Sequence, residues 1–226
     1  MNECNICNDV NCIQDIVTNV LPQSLRWRLI KETKHFIVTP TLGPIVDGYV
    51  IIWPKRHILS FKHLVEDELS ELVTIVDSLC DTMKGKFNKE LVVFEHGQVE
   101  GCNEVGCGVN HAHIHIVAID NTRLFFDMAQ STYITEKEYE KYYDFYQDGY
   151  FPNKDYMLIS SIDFSETKIL SYGEIRVSQA LRRILAECCG QSGNWNWREF
   201  MNIPSVISIA NALGDRKSVN KELLLN

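Results

Sequence analysis

No apolar run in this chain of 226 residues approaches the ~20 residues that span a bilayer. A transmembrane role is therefore not expected. The start, MNECNICNDV, has neither the basic region nor the apolar core of a signal peptide, so the expected location is the cytoplasm. There is no basic excess either. The formal charge is −8 and the pI about 5.4, which argues against nonspecific nucleic-acid binding but not against a small anionic ligand held by a few local donors. Internal repeats and low-complexity tracts are absent. What is present is an ordinary globular composition, 45% hydrophobic and 23% charged, together with eight cysteines. In a reducing compartment these are thiols and candidate metal ligands rather than a disulfide framework.

The most informative stretch is GCGVNHAHIHIVAID, Gly106 to Asp120. His111, His113 and His115 alternate with Ala112, Ile114 and Ile116. On a β-strand the three imidazoles share one face, about 7 Å apart from one to the next, and the apolar residues face a core. Gly106 and Gly108 precede them and let a loop bring backbone N–H groups close to a ligand. Three ligands on one tetrahedral metal lie only ~3.3 Å apart, so the strand offers two histidines to a metal more readily than three. A division of labour suits it better. A neutral imidazole is a good nucleophile toward phosphorus and a good leaving group, and its neighbour can hold developing charge.

The rest of the chain places this strand. Cys4 and Cys7 form a C-x-x-C, which alone is half a zinc site or two free thiols. Residues 11–20 suggest a short helix. His35 to Val38 and Tyr49 to Trp53 predict strands around the loop TPTLGPIVDG, and Lys55, Arg56 and His57 follow Pro54. Residues 66–83 predict an amphipathic helix stopped near Gly85, with Cys80 in its core face. Residues 91–95 predict a strand. Glu136 to Phe145 predicts a helix capped by Thr135, within an aromatic segment that suits ordinary packing better than a nucleobase wall. Residues 156–160 and 167–172 predict a strand pair, and 176–189 a helix capped by Gly190. The order of elements implies an α+β fold, an antiparallel sheet with a packed helix, in residues 1–125, followed by an α/β extension over 126–226 packed on it.

HAHIHIV matches the His-φ-His-φ-His-φ-φ motif, φ being apolar, and the chain resembles the histidine triad family. The likeness runs from Cys4 to about Ile119 and includes FIVTPTLGPIVDGYVIIWPKRH, FEHG and GCGVNHAHIHIV. SQALRRILAE and WNWR are similar to the carboxy-terminal extension of a larger branch. The resemblance implies a nucleotide hydrolase or nucleotidyl transferase. His113 would attack an α-phosphorus, His115 would contact the phosphate, and His111 would orient the site through its carbonyl. Gly106, Cys107, Gly108 and Asn103 fall in the implied phosphate loop. Zinc-containing relatives imply a structural Zn2+ on Cys4, Cys7, His57 and His111. Small members imply a homodimer. The chain departs from the pattern in three places. Thr39, Pro40 and Thr41 stand where an acidic ribose-binding residue is expected. Tyr49 replaces a histidine, and the loop GCNEVGCG lacks an evident glutamine or serine. His96 and Asn103 are candidates to fill that gap, whereas His35 and His63 suit structural roles. Two other readings remain: a nucleotide-binding regulatory module with little catalysis, and a zinc-held interaction domain.

Overall fold

The computed structural model describes residues 28–99, 109–171 and 177–214. The C-x-x-C, the expected helix over 11–20, the glycine loop through Gly108 and the tail lie outside these residues. Among the described residues, eight strands form one sheet in the order β1-β2-β3-β5-β4-β7-β8-β6, and every pair is antiparallel. The strands are β1 (Lys31–Glu32), β2 (Phe36–Pro40), β3 (Tyr49–Pro54), β4 (Glu90–Gly97), β5 (Ile114–Ile119), β6 (Ile134–Tyr139), β7 (Tyr156–Ser161) and β8 (Glu166–Ser171). The α+β expectation holds. The sheet does not end with the histidine strand: β7, β8 and β6 extend it beyond β4.

Both faces are covered. On one face, Val50, Ile52, Ile114, Ile116, Val93 and Leu158 pack against α1 (Glu66–Phe87) through Leu72, Val76 and Met83. On the other, Val92, Phe94, Val117 and Ile159 pack against α2 (Thr122–Thr132) and the later helix at Ala180–Cys188. Removal of this apolar area from water is the main stabilising term. Cys80 lies buried in the first core, as expected.

Three local expectations need correction. Gly85 does not end α1. The helix runs to Phe87, and Asn88, in the left-handed conformation at φ 50°, caps it with its N–H on the Lys84 carbonyl. Glu136 to Phe145 is not one helix. Residues 134–139 form edge strand β6, whose side chains alternate between exposed and half-buried, and only Tyr142–Gln147 (α3) is helical. A period-two pattern was present in ITEKEY, but its charged residues obscured it. Thr135 therefore caps nothing. The helix expected over 176–189 is shorter, Ala180–Cys188 (α4), because Gln179 sits at φ 58°. Helices α2 and α5 (Ile203–Leu213) were not anticipated, although the Asn121 side chain accepts from Leu124 N–H as an N-cap for α2.

β4 also extends further than expected, through Gly97, and this fixes a buried carboxylate. Glu95 accepts from Phe61 N–H at 2.8 Å, Tyr146 O–H at 2.8 Å and Tyr156 O–H at 2.9 Å. Burial nevertheless pushes its carboxyl up to about 7, against those three donors. A raised folded-state value favours the protonated form. The stability it contributes is full below the unfolded value and is lost as pH rises through about 7. Glu95→Gln should therefore flatten the decline in stability between pH 5 and 8, by up to about 3 kcal/mol. Urea melts of both proteins across that range measure it, and parallel curves would refute the assignment.

Candidate functional site

The ladder of β5 starts at Ile114, so His115 lies in the strand while His111 and His113 lie in the extended lead-in to it. That segment is still fixed, since Ala112 N–H donates to the Ile58 carbonyl at 2.7 Å. Register then decides the neighbours. His115 stands between Ile51 of β3 and Phe94 of β4, and Tyr49 lies across from Val117. The histidines share the face that carries Trp53 and Phe94, while Ala112, Ile114 and Ile116 enter the opposite core. Val109, next to the glycine loop, packs against Ile37, Ile51 and Trp53. Val109 thus meets the sheet on the Trp53 side of the histidines.

Across this face the aromatic groups form a row. His57 and His111 have ring centres 5.3 Å apart, and Trp53 stacks on His113 at 4.9 Å. His113 meets His115 edge-on at 4.8 Å, Phe94 stacks on His115 at 4.4 Å, and Tyr49 lies 5.6 Å beyond. The Arg182 guanidinium of α4 covers the Tyr49 ring at 5.2 Å. His57 is exposed, but His111, His113 and His115 are 1%, 5% and 3% exposed.

Hydrogen bonds make the three histidines unequal. His113 Nδ1 donates to the His111 carbonyl at 2.9 Å, which fixes the tautomer and puts the lone pair on Nε2. His111 Nε2 donates to the Pro54 carbonyl at 2.8 Å, so its lone pair is on Nδ1. His115 Nδ1 and Tyr49 Oη are 3.1 Å apart. Burial holds all three neutral. The His113 imidazole is lowered to about 4, with the nearby Arg182 charge adding to the effect and the His111 carbonyl opposing it. His111 is likewise lowered to about 4, and His115 well below its ordinary value, by burial and then by the charges of His113, Arg182 and His96. His96 is buried on the same sheet face and is pushed down to about 3 by burial and His113. A buried, neutral imidazole with a fixed tautomer is a nucleophile ready at neutral pH.

Cys4, Cys7, Asn103, Gly106, Cys107 and Gly108 lie outside the described residues, so only His57 and His111 of the expected zinc ligands can be placed. Among the described residues no group of three or more histidines, cysteines or acidic residues forms a metal-binding cluster. The two that are placed are compatible with one ion. Imidazoles sharing a tetrahedral metal hold their ring centres about 5 Å apart. The carbonyl partner of His111 Nε2 is the kind of second contact that orients a metal-ligating histidine. His35 and His63 have structural partners, Glu71 at 2.6 Å and the Ser60 carbonyl at 3.3 Å.

Sequence reasoning missed Trp53 and Arg182. Arg182 lies in SQALRRILAE, where an arginine pair suggests a solvated helix face. It is instead buried beside Leu181 and Leu185. It donates to the Trp195 carbonyl at 2.9 Å, the Gly43 carbonyl at 2.7 Å and Thr41 Oγ1 at 3.4 Å. The loop after β2 is thus bound to the carboxy-terminal part of the chain. Gly43 N–H also donates to the Met201 carbonyl at 2.7 Å. Gly43 has φ +60°, and a Cβ there would stand 2.2 Å from the Phe200 carbonyl oxygen. Gly43→Ala should cost on the order of 2–4 kcal/mol, measured by urea melts; a wild-type midpoint would show that this contact is not tight.

The HIT domain family model matches residues 25–122. That span contains Tyr49, Trp53, His57 and the three histidines, and leaves α4 and Arg182 outside it. A bis(5'-adenosyl)-triphosphatase of Dictyostelium discoideum is 27% identical over 95 residues, which cover 39% of this chain and 62% of that protein. An uncharacterized HIT-like protein of Methanocaldococcus jannaschii is 26% identical over 103 residues, 45% of this chain and 76% of that protein. The chain thus spans less than two thirds of the first of these relatives. Among solved structures, a HIT family protein from Bacillus anthracis superposes with a TM-score of 0.41 at 17% identity, covering 53% of this chain and 75% of that one. A histidine triad nucleotide-binding protein from Candida albicans gives 0.40 at 21% identity, covering 53% and 76%. Residues 25–122 of this chain are therefore similar to the HIT domain, and the residues after them lie outside that match.

Proposed function

We propose that the chain is a nucleotide hydrolase or nucleotidyl transferase that works through a nucleotidyl-His113 intermediate. The observation that carries this reading is the 2.9 Å bond from His113 Nδ1 to the His111 carbonyl. It directs a neutral Nε2 lone pair away from the backbone. In the first step Nε2 forms a bond to the α-phosphorus, the bond from phosphorus to the leaving group breaks, and the leaving group takes that electron pair. In the second step water or another acceptor attacks phosphorus and loses a proton, and His113 departs as a neutral imidazole. One hard displacement becomes two easier ones. His115, backed by Tyr49, faces the phosphoryl oxygens and stabilises the charge that develops there. Backbone N–H groups of Gly106, Cys107 and Gly108, with Asn103, complete the phosphate site in this reading.

A structural zinc ion on Cys4, Cys7, His57 and His111 belongs to the same proposal. It would hold the amino terminus against Pro54–His57 and keep the His111 carbonyl aligned on His113 Nδ1. The test of function is turnover by the purified chain across a panel of dinucleoside polyphosphates, nucleoside phosphoramidates and nucleotide sugars. Release of a nucleoside monophosphate from at least one class is the expected result. The regulatory-module reading draws on the near-complete burial of the three histidines. It predicts nucleotide binding with no turnover of any member of the panel.

A further inference from the structure

Arg182 is the one feature of the row that the HIT domain match does not include. It comes from α4, about 70 positions after the histidines, and its side chain is buried. Its three hydrogen-bond acceptors are two carbonyls and a hydroxyl, all neutral, and the ring beneath it is Tyr49. Among the described residues no carboxylate pairs with it. A guanidinium has five N–H donors, so two remain beyond these three contacts. A buried cation without an anionic partner costs several kcal/mol, which neutral acceptors and a ring face offset only in part. An anion at that place would supply the rest. Arg182 also lies at the end of the row beyond His115 and Tyr49, away from His57 and His111.

We propose that Arg182 binds the phosphate next to the one that His113 attacks, which makes the substrates nucleotides with at least one phosphate beyond the α-phosphate. This rests on the proposed attack by His113 for its register along the row. The chemistry is consistent with it. Burial keeps His115 neutral and therefore a weak proton donor, which suits an amine leaving group poorly. A phosphate leaves as an anion and takes the electron pair of the broken P–O bond with it. It needs a fixed positive charge rather than a proton, and Arg182 supplies one in water-poor surroundings. Thr41 and Gly43, which Arg182 holds, belong to the loop after β2, and Thr41 is one of the three residues that stand where an acidic ribose-binding residue is expected. The carboxy-terminal part of the chain therefore contributes to the ligand site as well as to the fold.

The test compares ADP with AMP. Calorimetry on the full chain gives both dissociation constants for wild type, Arg182→Gln and Arg182→Lys, with melting curves to confirm folding. Arg182→Gln should weaken ADP about 30-fold and AMP less than about 3-fold, and Arg182→Lys should recover part of the ADP loss. A purely structural clamp would weaken both ligands alike. Equal losses, or no loss for either, would overturn the proposal. If Arg182→Gln does not fold, a wild-type structure with ADP decides. An Arg182 Nη within about 3.2 Å of a β-phosphate oxygen supports the assignment, and a separation beyond about 5 Å rejects it. The two readings fail separately. A chain that binds ADP through Arg182 but turns nothing over loses the hydrolase reading alone. An active chain indifferent to Arg182 loses this one alone. A chain that binds neither nucleotide loses both.

Discussion

His113→Ala should lower kcat by at least about 10⁴-fold on any substrate the chain turns over, while the protein stays folded. The size follows from the role. In the proposed mechanism His113 forms and breaks the bond to phosphorus, so without it the two-step route is closed and only direct attack by water on a bound nucleotide remains. The retained fold follows from the packing. His113 belongs to the lead-in to β5, its backbone is tied through Ala112 to Ile58, and its ring stacks on Trp53 at the edge of a small cluster. Truncation there costs on the order of 1–3 kcal/mol, within the range a domain tolerates. His113→Asn is the sharper variant, because it keeps a side-chain N–H near the His111 carbonyl and removes only the nucleophile. Steady-state rates with melting curves measure both effects. A loss under 10-fold would show that His113 does not carry the chemistry.

Cys7→Ser should release about one zinc per chain and lower the melting temperature by about 10 °C. A closed metal site contributes binding energy directly to folding, and a loss of about 3–5 kcal/mol shifts a chain of this size by that amount. The effect should reach catalysis as well. His57 and His111 have ring centres 5.3 Å apart, and the His111 carbonyl is the acceptor for His113 Nδ1. Loosening His111 would therefore loosen the tautomer of His113. Metal analysis with melting curves of wild type, Cys7→Ser and chelator-treated protein tests this. No metal in the wild type, or no shift on its removal, would contradict the site.

The part of the fold that positions the histidines was legible because its patterns are strong. Strands β2, β3 and β4 and helix α1 carry unbroken apolar periodicity, and the spacing of His111, His113 and His115 fixes which groups share a face. The resemblance that HAHIHIV carries agrees with the HIT domain match. The rest was obscured for specific reasons. ITEKEY pairs only at an edge, so its strand pattern is written in charges. Glu95 looked like the polar end of a strand, because its three donors come from positions 34, 51 and 61 residues away. Arg182 was hidden for the same reason: its partners Thr41 and Gly43 lie about 140 positions upstream. Burial of a charge is a property of tertiary structure, and no local pattern announces it.

The central claim is that His113 becomes covalently attached to a nucleotide. Rapid quench of the wild-type chain with a turned-over substrate, followed by intact-mass analysis and peptide mapping, tests it most directly. The expected result is a mass increase of one nucleoside monophosphate, less water, on the peptide containing His113, absent in His113→Ala. Turnover with no adduct at any quench time, or an adduct on another residue, would contradict the account.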